Sequence, residues 1–188
     1  MTPETLILAS ASPRRRDILR FAGIPFRVIA PKGVDEAPRK GERPDALARR
    51  LALAKAVEVS VRNPDAWVLG ADTVVAIGAR TFGKPRNVRE ARTMLRNLQG
   101  RAHAVYTGVA LVRNVKKRRV RVERTRVLFK KLSSKEWGPY LKSREPYDKA
   151  GGYAIQGTAR KWVRRYEGEY FTVLGLSLRW LLAELNRL

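Results

Sequence analysis

Short apolar runs alternate with helical spacings along the first half of this chain. Leu6 to Ala9 is an unbroken apolar run, and residues 5–10 are predicted as a buried strand. Residues 13–22 place Ile18, Leu19 and Ala22 on one helical face, with Gly23 as the stop. A second short strand is expected from Phe26 to Ala30, then a Pro- and Gly-rich polar loop from Pro31 to Arg43. Leu47, Leu51, Ala54 and Val57 or Glu58 recur at helical spacing, which predicts a helix over 45–61. Trp67 to Ile77 is apolar and β-branched, the signature of a central strand. Gly78 to Pro85 reads as turn and loop, and Val88 to Leu98 as a helix stopped by Gly100.

The second half opens with two expected strands, 103–112 and 120–129, joined by a basic turn at Lys116-Lys117-Arg118-Arg119. Ser133 and Glu136 have capping-box spacing for a helix reaching Leu141. Residues 147–160 are glycine-rich and irregular, 162–166 fit a strand, and 177–187 a helix with Leu178, Leu181, Leu182 and Leu185 as its stripe. Strands alternating with helices, followed by a hairpin, predict an α/β protein with a mixed sheet in one domain spanning 1–188.

Composition narrows the class. A content of 44% hydrophobic residues indicates a globular chain, and the absence of cysteine excludes disulfides and thiolate metal sites. No apolar run approaches the roughly 20 residues of a membrane helix, and the start lacks the basic flank of a signal peptide. The expected location is the cytoplasm. The net charge of +23 attracts any polyanion, so non-specific nucleic-acid contact is a possible partner mode. That charge is spread along the chain without a nucleic-acid-binding signature, which fits a solvated basic surface.

Charge placement points to chemistry. Ser12 and Pro13 make a good helix start, yet Arg14, Arg15 and Arg16 follow at once. Cations there oppose the helix dipole by about 0.3–1 kcal/mol each. An anion on the turn resolves the conflict, met by backbone N–H groups, a hydroxyl and guanidiniums. Asp72 interrupts the most apolar strand, where it is either a buried carboxylate satisfied locally or a metal ligand or general base. Lys84, between Gly83 and Pro85, suits a phosphate, although such a tripeptide also occurs in ordinary loops. Lys55 lies in an apolar helical turn and either snorkels to solvent or points into a cleft. Asp35-Glu36 forms a carboxylate pair in the polar loop. Residues 145–157 carry two tyrosines, Gln156 and three glycines, either a flexible linker or a loop that binds ligands by backbone approach and a side-chain amide. His103, the sole histidine, reads as structural.

These pieces, in order, resemble the Maf family of nucleoside triphosphate pyrophosphatases. The matching segments are Leu8 to Arg15, Val34 to Glu36, Lys55-Ala56, Gly70 to Val75, Gly83 to Pro85, His103 to Val109, Glu145 to Gly157 and Val173 to Leu176. The resemblance implies an inosine triphosphatase-like mixed twisted sheet in two lobes with a central cleft. It implies metal-assisted hydrolysis of a nucleoside triphosphate to the monophosphate and pyrophosphate, with magnesium or manganese as cofactor, in the house-cleaning of nucleotide pools. By that similarity Asp72 is the proton acceptor, and Glu36 contributes to the metal or the water, with Lys84 also in the catalytic set. Ser12, Arg14, Arg15, Lys55 and Lys84 hold phosphates. Arg14, Thr73 and Gln156 match the branch that prefers dTTP and UTP. A homodimer is also possible. Ala154 and Ser177 depart from the family pattern, which often has glycine and proline there. The competing readings are a basic nucleic-acid-binding protein without turnover and a nucleotide-binding regulator.

Overall fold

The computed structural model describes residues 5–188. The chain runs β1 (Leu6–Ala9), α1 (Pro13–Phe21), β2 (Phe26–Val28), α2 (Pro44–Val61), β3 (Val68–Ile77), β4 (Arg80–Phe82) and α3 (Val88–Leu98). It continues through β5 (Ala102–Arg113), β6 (Lys117–Phe129), α4 (Ser134–Lys142), 3-10 turns at Ala150–Gly152 and Gly157–Trp162, β7 (Val163–Glu167), α5 (Tyr170–Leu174) and α6 (Leu178–Leu185). The described strands form one seven-stranded mixed sheet in the order β2-β1-β3-β5-β6-β7, with β4 added to β3. β1 is parallel to both β2 and β3, and the other pairings are antiparallel. No described helix is long and apolar enough to cross a membrane.

β3 and β5 form the spine, paired from Val68↔Val112 to Ala76↔Ala104. On one face, Leu69, Ala71, Val109 and Leu111 pack against Ile18 and Leu19 of α1 and Leu178 and Leu181 of α6. Further along that face, Val75, Val105, Val127 and Phe129 pack against α3, α4 and Trp162. Thr73 and Thr107, directly paired, lie between these two cores.

The opposite face carries α2. A Cβ at Gly70 would stand 2.2 Å from the Ala52 carbonyl oxygen, and one at Gly108 would stand 2.2 Å from that of Ala48. The helix therefore rests on sheet backbone, through the fully buried Ala48, Ala52 and Ala56. This corrects the expected stripe. Ala54 and Val57 are only half-buried, while Ala52, Lys55, Ala56 and Val59 point inward. Small residues set the face because two glycines admit them closely.

Three other expectations change. The hairpin turn is residues 114–116, with Asn114 and Val115 at φ 47° and 54°, and Lys117 to Arg119 belong to β6. Lys117 and Arg118 are exposed, and Arg119, opposite Leu111 on the face that α6 covers, pairs with Glu184 at 2.7 Å. β4 arises inside the expected 78–85 loop, and α5 inside a stretch with no expected element. Both are too short for periodicity to register. The capping box at Ser133 is present as expected.

Candidate active site

A cleft of about 650 Å³ lies where the β1–α1 turn, the 30–38 loop, α2, the middle of β3, the β4 exit and residues 148–154 converge. Its lining includes Ser12, Arg14, Arg15, Glu36, Lys55, Asp72, Thr73 and Lys84. The structure thus brings together every expected catalytic and phosphate residue. Gln156 is exposed and lies outside that lining, two residues beyond Ala154, which is part of it.

Lys55 resolves its alternatives by pointing into the cleft. The close seat of α2 on Gly70 and Gly108 sets its ammonium 2.6 Å from Asp72 Oδ1 and 2.6 Å from Glu36 Oε1. One buried cation thereby holds two carboxylates from different elements. Asp72 Oδ2 has no partner among the described residues. Burial pushes the Glu36 carboxyl up, but the Lys55 bond, with the charges of Lys55, Lys84 and Arg15, outweighs this and holds it below its ordinary value. Glu36 is therefore ionised at neutral pH.

The loop that carries Glu36 is tied down by Arg50, which sequence reasoning missed. Its guanidinium meets Glu42 at 2.7 and 2.9 Å, the Ala37 carbonyl at 2.9 Å and the Asp35 carbonyl at 3.3 Å. The Glu42 carboxyl is pulled down to about 2, chiefly by the Arg50 bond. An Arg in a helix, paired with a Glu eight residues earlier that precedes the helix, gives no periodic signal.

At the α1 start, Ser12 occupies the cap position without making a side-chain capping bond. Its N–H donates instead to Ser10 Oγ at 3.2 Å. Ser12, Pro13, Arg14 and Arg15 all line the cleft, at a helix start whose first N–H groups lack intrahelical partners. Arg14 is partly exposed and meets Asp148 at 3.3 Å. Arg15 is buried, and its guanidinium donates to the Gly175 carbonyl at 2.8 Å, Ser10 Oγ at 2.9 Å and Thr73 Oγ1 at 3.4 Å. Three of its five N–H groups are thus used in fixing the site, leaving two. Burial lowers its pKa, opposed by the charge of Asp72. Lys84 is exposed on the cleft rim and makes no hydrogen bond or ion pair among the described residues.

The far wall is aromatic. Tyr153 lines the cleft, and its hydroxyl lies 2.6 Å from His103 Nε2. His103 is buried and packs edge-on against Phe129 and Tyr153, so its structural role holds. Burial pushes its pKa down to about 4.

A family model described as "Maf-like protein" matches residues 5–188, nearly the whole chain. The chain belongs to the Maf-like family. A Maf-like relative named dTTP/UTP pyrophosphatase from Syntrophus aciditrophicus (strain SB) is 50% identical over 95% of this chain and 87% of its own length. Another of that name, from Myxococcus xanthus (strain DK1622), is 50% identical over 97% of this chain and 91% of its own. One from Bacillus cereus is 44% identical over 97% and 94%. Among solved structures, a HAM1 protein from Coxiella burnetii overlaps 67% of the Maf-like chain and 73% of its own, at 14% identity and a TM-score of 0.49.

Proposed function

We propose that this protein hydrolyses dTTP and UTP to the monophosphate and pyrophosphate, by attack of water on the α-phosphorus. The observation that carries the reading is the Lys55 ammonium between Asp72 and Glu36, in a cleft that also holds the α1 N-terminus. Carboxylates alone repel a triphosphate, and lysine and arginine cations alone cannot take a proton from the attacking water. Here both are built into one wall. The relatives' names supply the substrate pair.

Asp72 is the proton acceptor. Lys55 occupies Oδ1 and orients the carboxylate, so the unpartnered Oδ2 faces the attacking water. Ser12, Arg14, Arg15, Lys55 and Lys84 bind phosphate oxygens and neutralise the charge that builds on the α-phosphate and the departing pyrophosphate. Donors fixed in advance at such positions usually supply the largest share of catalysis. The donor chemistry of the site also fits magnesium or manganese, since Asp72 and Glu36 offer hard carboxylate oxygens beside the phosphate cradle. When bound, such an ion polarises the phosphate and lowers the pKa of water. Arg14 and Thr73 stand at the nucleoside end, and Gln156 completes the set from its adjoining loop.

The deciding experiment is pyrophosphate release from a nucleotide panel with magnesium or manganese, for wild type and Asp72→Asn. Wild type is expected to turn over dTTP and UTP, and the variant to lose about 10²–10⁴-fold in kcat. Absence of release from either nucleotide by wild type overturns the function. Equal rates in the variant overturn the role of Asp72.

A further inference from the structure

The threonines between the two cores form a hydrogen-bond relay with a fixed direction. Thr107, fully buried on β5, has its Oγ1 2.7 Å from the Thr172 carbonyl oxygen. A carbonyl only accepts, so at that distance the Thr107 proton points to it. The same carbonyl also accepts the Gly175 N–H at 3.1 Å, using its second lone pair. Thr73 Oγ1 lies 3.0 Å from Thr107 Oγ1. With the Thr107 proton committed, Thr73 is the donor of that pair. Arg15 donates to the Thr73 oxygen at 3.4 Å. The Thr73 hydroxyl has therefore spent its proton and one lone pair. It offers the cleft a single remaining lone pair, and so acts there only as an acceptor.

An acceptor is of no use to an ionised triphosphate, whose oxygens also only accept. It must meet a donor, and the donors of a nucleotide lie on its sugar and base. dTTP and UTP share one base donor, the imide N3–H between two carbonyls, whereas cytosine carries a lone pair at N3. We propose that Thr73 is held as an obligate acceptor for the imide N–H, and that Thr107 is the positioning residue that sets this polarity. The inference rests on the nucleotide reading above and adds that the site prefers uracil and thymine to cytosine. Lone pair against lone pair leaves both groups unpaired, the situation in which polar sites discriminate most strongly.

The test measures kcat/KM for UTP and CTP in wild type, Thr107→Val and Thr107→Ser. Thr107→Val keeps the shape but removes the acceptor beneath Thr73, whose freed proton can then turn toward N3 of cytosine. The UTP-to-CTP ratio is expected to fall by about tenfold or more in Thr107→Val and to stay near wild type in Thr107→Ser. A purely structural role lowers both substrates together, and an unchanged ratio in Thr107→Val overturns the inference. Should that variant fail to fold, Thr73→Val serves instead. It must lose the UTP preference, and a retained preference overturns the inference equally. Wild-type protein that releases no pyrophosphate from UTP overturns the nucleotide reading, and this inference with it.

Discussion

Single residues in this molecule do unlike work with like chemistry. Lys55 is a buried cation held by two carboxylates, and Lys84 an exposed one without a partner among the described residues, yet both face one cleft. His103 gives the clearest residue-scale prediction. Burial lowers its pKa to about 4, against about 6.5 in the unfolded chain. Above pH 6.5 both states are neutral and nothing is lost. Between 6.5 and 4 the unfolded chain takes up a proton that the native protein refuses, so stability falls. Below 4 both states are protonated and the loss stops growing. The depression corresponds to about 3 kcal/mol over that window. Chemical denaturation of wild type and His103→Gln from pH 7 to 4 checks this, since glutamine can still bond Tyr153 but does not titrate. The wild type should show the steeper loss, and equal slopes contradict the assignment. The depressed Glu42 and Glu36 carboxyls lose their contributions at lower pH, below about 4.5, and are common to both proteins.

At the scale of elements, the seat of α2 on the sheet matters most. Gly108 and Gly70 admit Ala48 and Ala52 against strand backbone, and that approach is what brings Lys55 to Asp72. In Gly108→Ala a methyl group stands 2.2 Å from a helix carbonyl, so the helix must move outward. Overpacking of this kind costs about 1–3 kcal/mol or more. Turnover should fall further than stability alone explains, because Lys55 moves with the helix. Thermal melting and pyrophosphate release on the same preparation test it, and full activity in a destabilised variant contradicts the link. This seat also shows what the sequence can and cannot reveal. Apolar runs and capping residues placed β1, β3, α3 and α4, because each is long enough or punctuated clearly enough to show its period. The inward face of α2 was not legible, since alanine suits either face of a helix until the glycines opposite it are known. For the same reason the direction of Lys55 stayed open, and Thr107, lodged in an ordinary β-branched run, gave no sign that it fixes the polarity of Thr73. Arg14, Arg15 and Asp72 were legible because each broke a local rule: cations at a helix start, and a carboxylate in an apolar strand.

The charge belongs to the whole molecule. Forty Lys and Arg against 17 Asp and Glu leave +23 on 188 residues, an excess with too few carboxylates to neutralise it. Such a surface does two things with opposite salt dependence. It repels itself in the folded state, and salt relieves that repulsion. It also draws a polyanionic nucleotide toward the cleft, and salt weakens that attraction, with a screening length of about 10 Å at 0.1 M. Three of the groups proposed to act on the bound nucleotide are shielded from this. Arg15, Lys55 and Asp72 are buried, and buried charges are screened much less. Raising potassium chloride from about 0.05 to 0.5 M, a range that crosses the screening length at cleft dimensions, should therefore raise the melting temperature and lower kcat/KM for UTP, while kcat stays nearly constant. A parallel fall in kcat would mean that the bulk field, and not the buried constellation, stabilises the transition state. A melting temperature that drops with salt would mean that surface ion pairs such as Arg86 with Glu90, at 2.7 Å, outweigh the net repulsion. Exposed pairs of that kind are worth about 0–1 kcal/mol each, too little to reverse the sign against so large an excess of one charge.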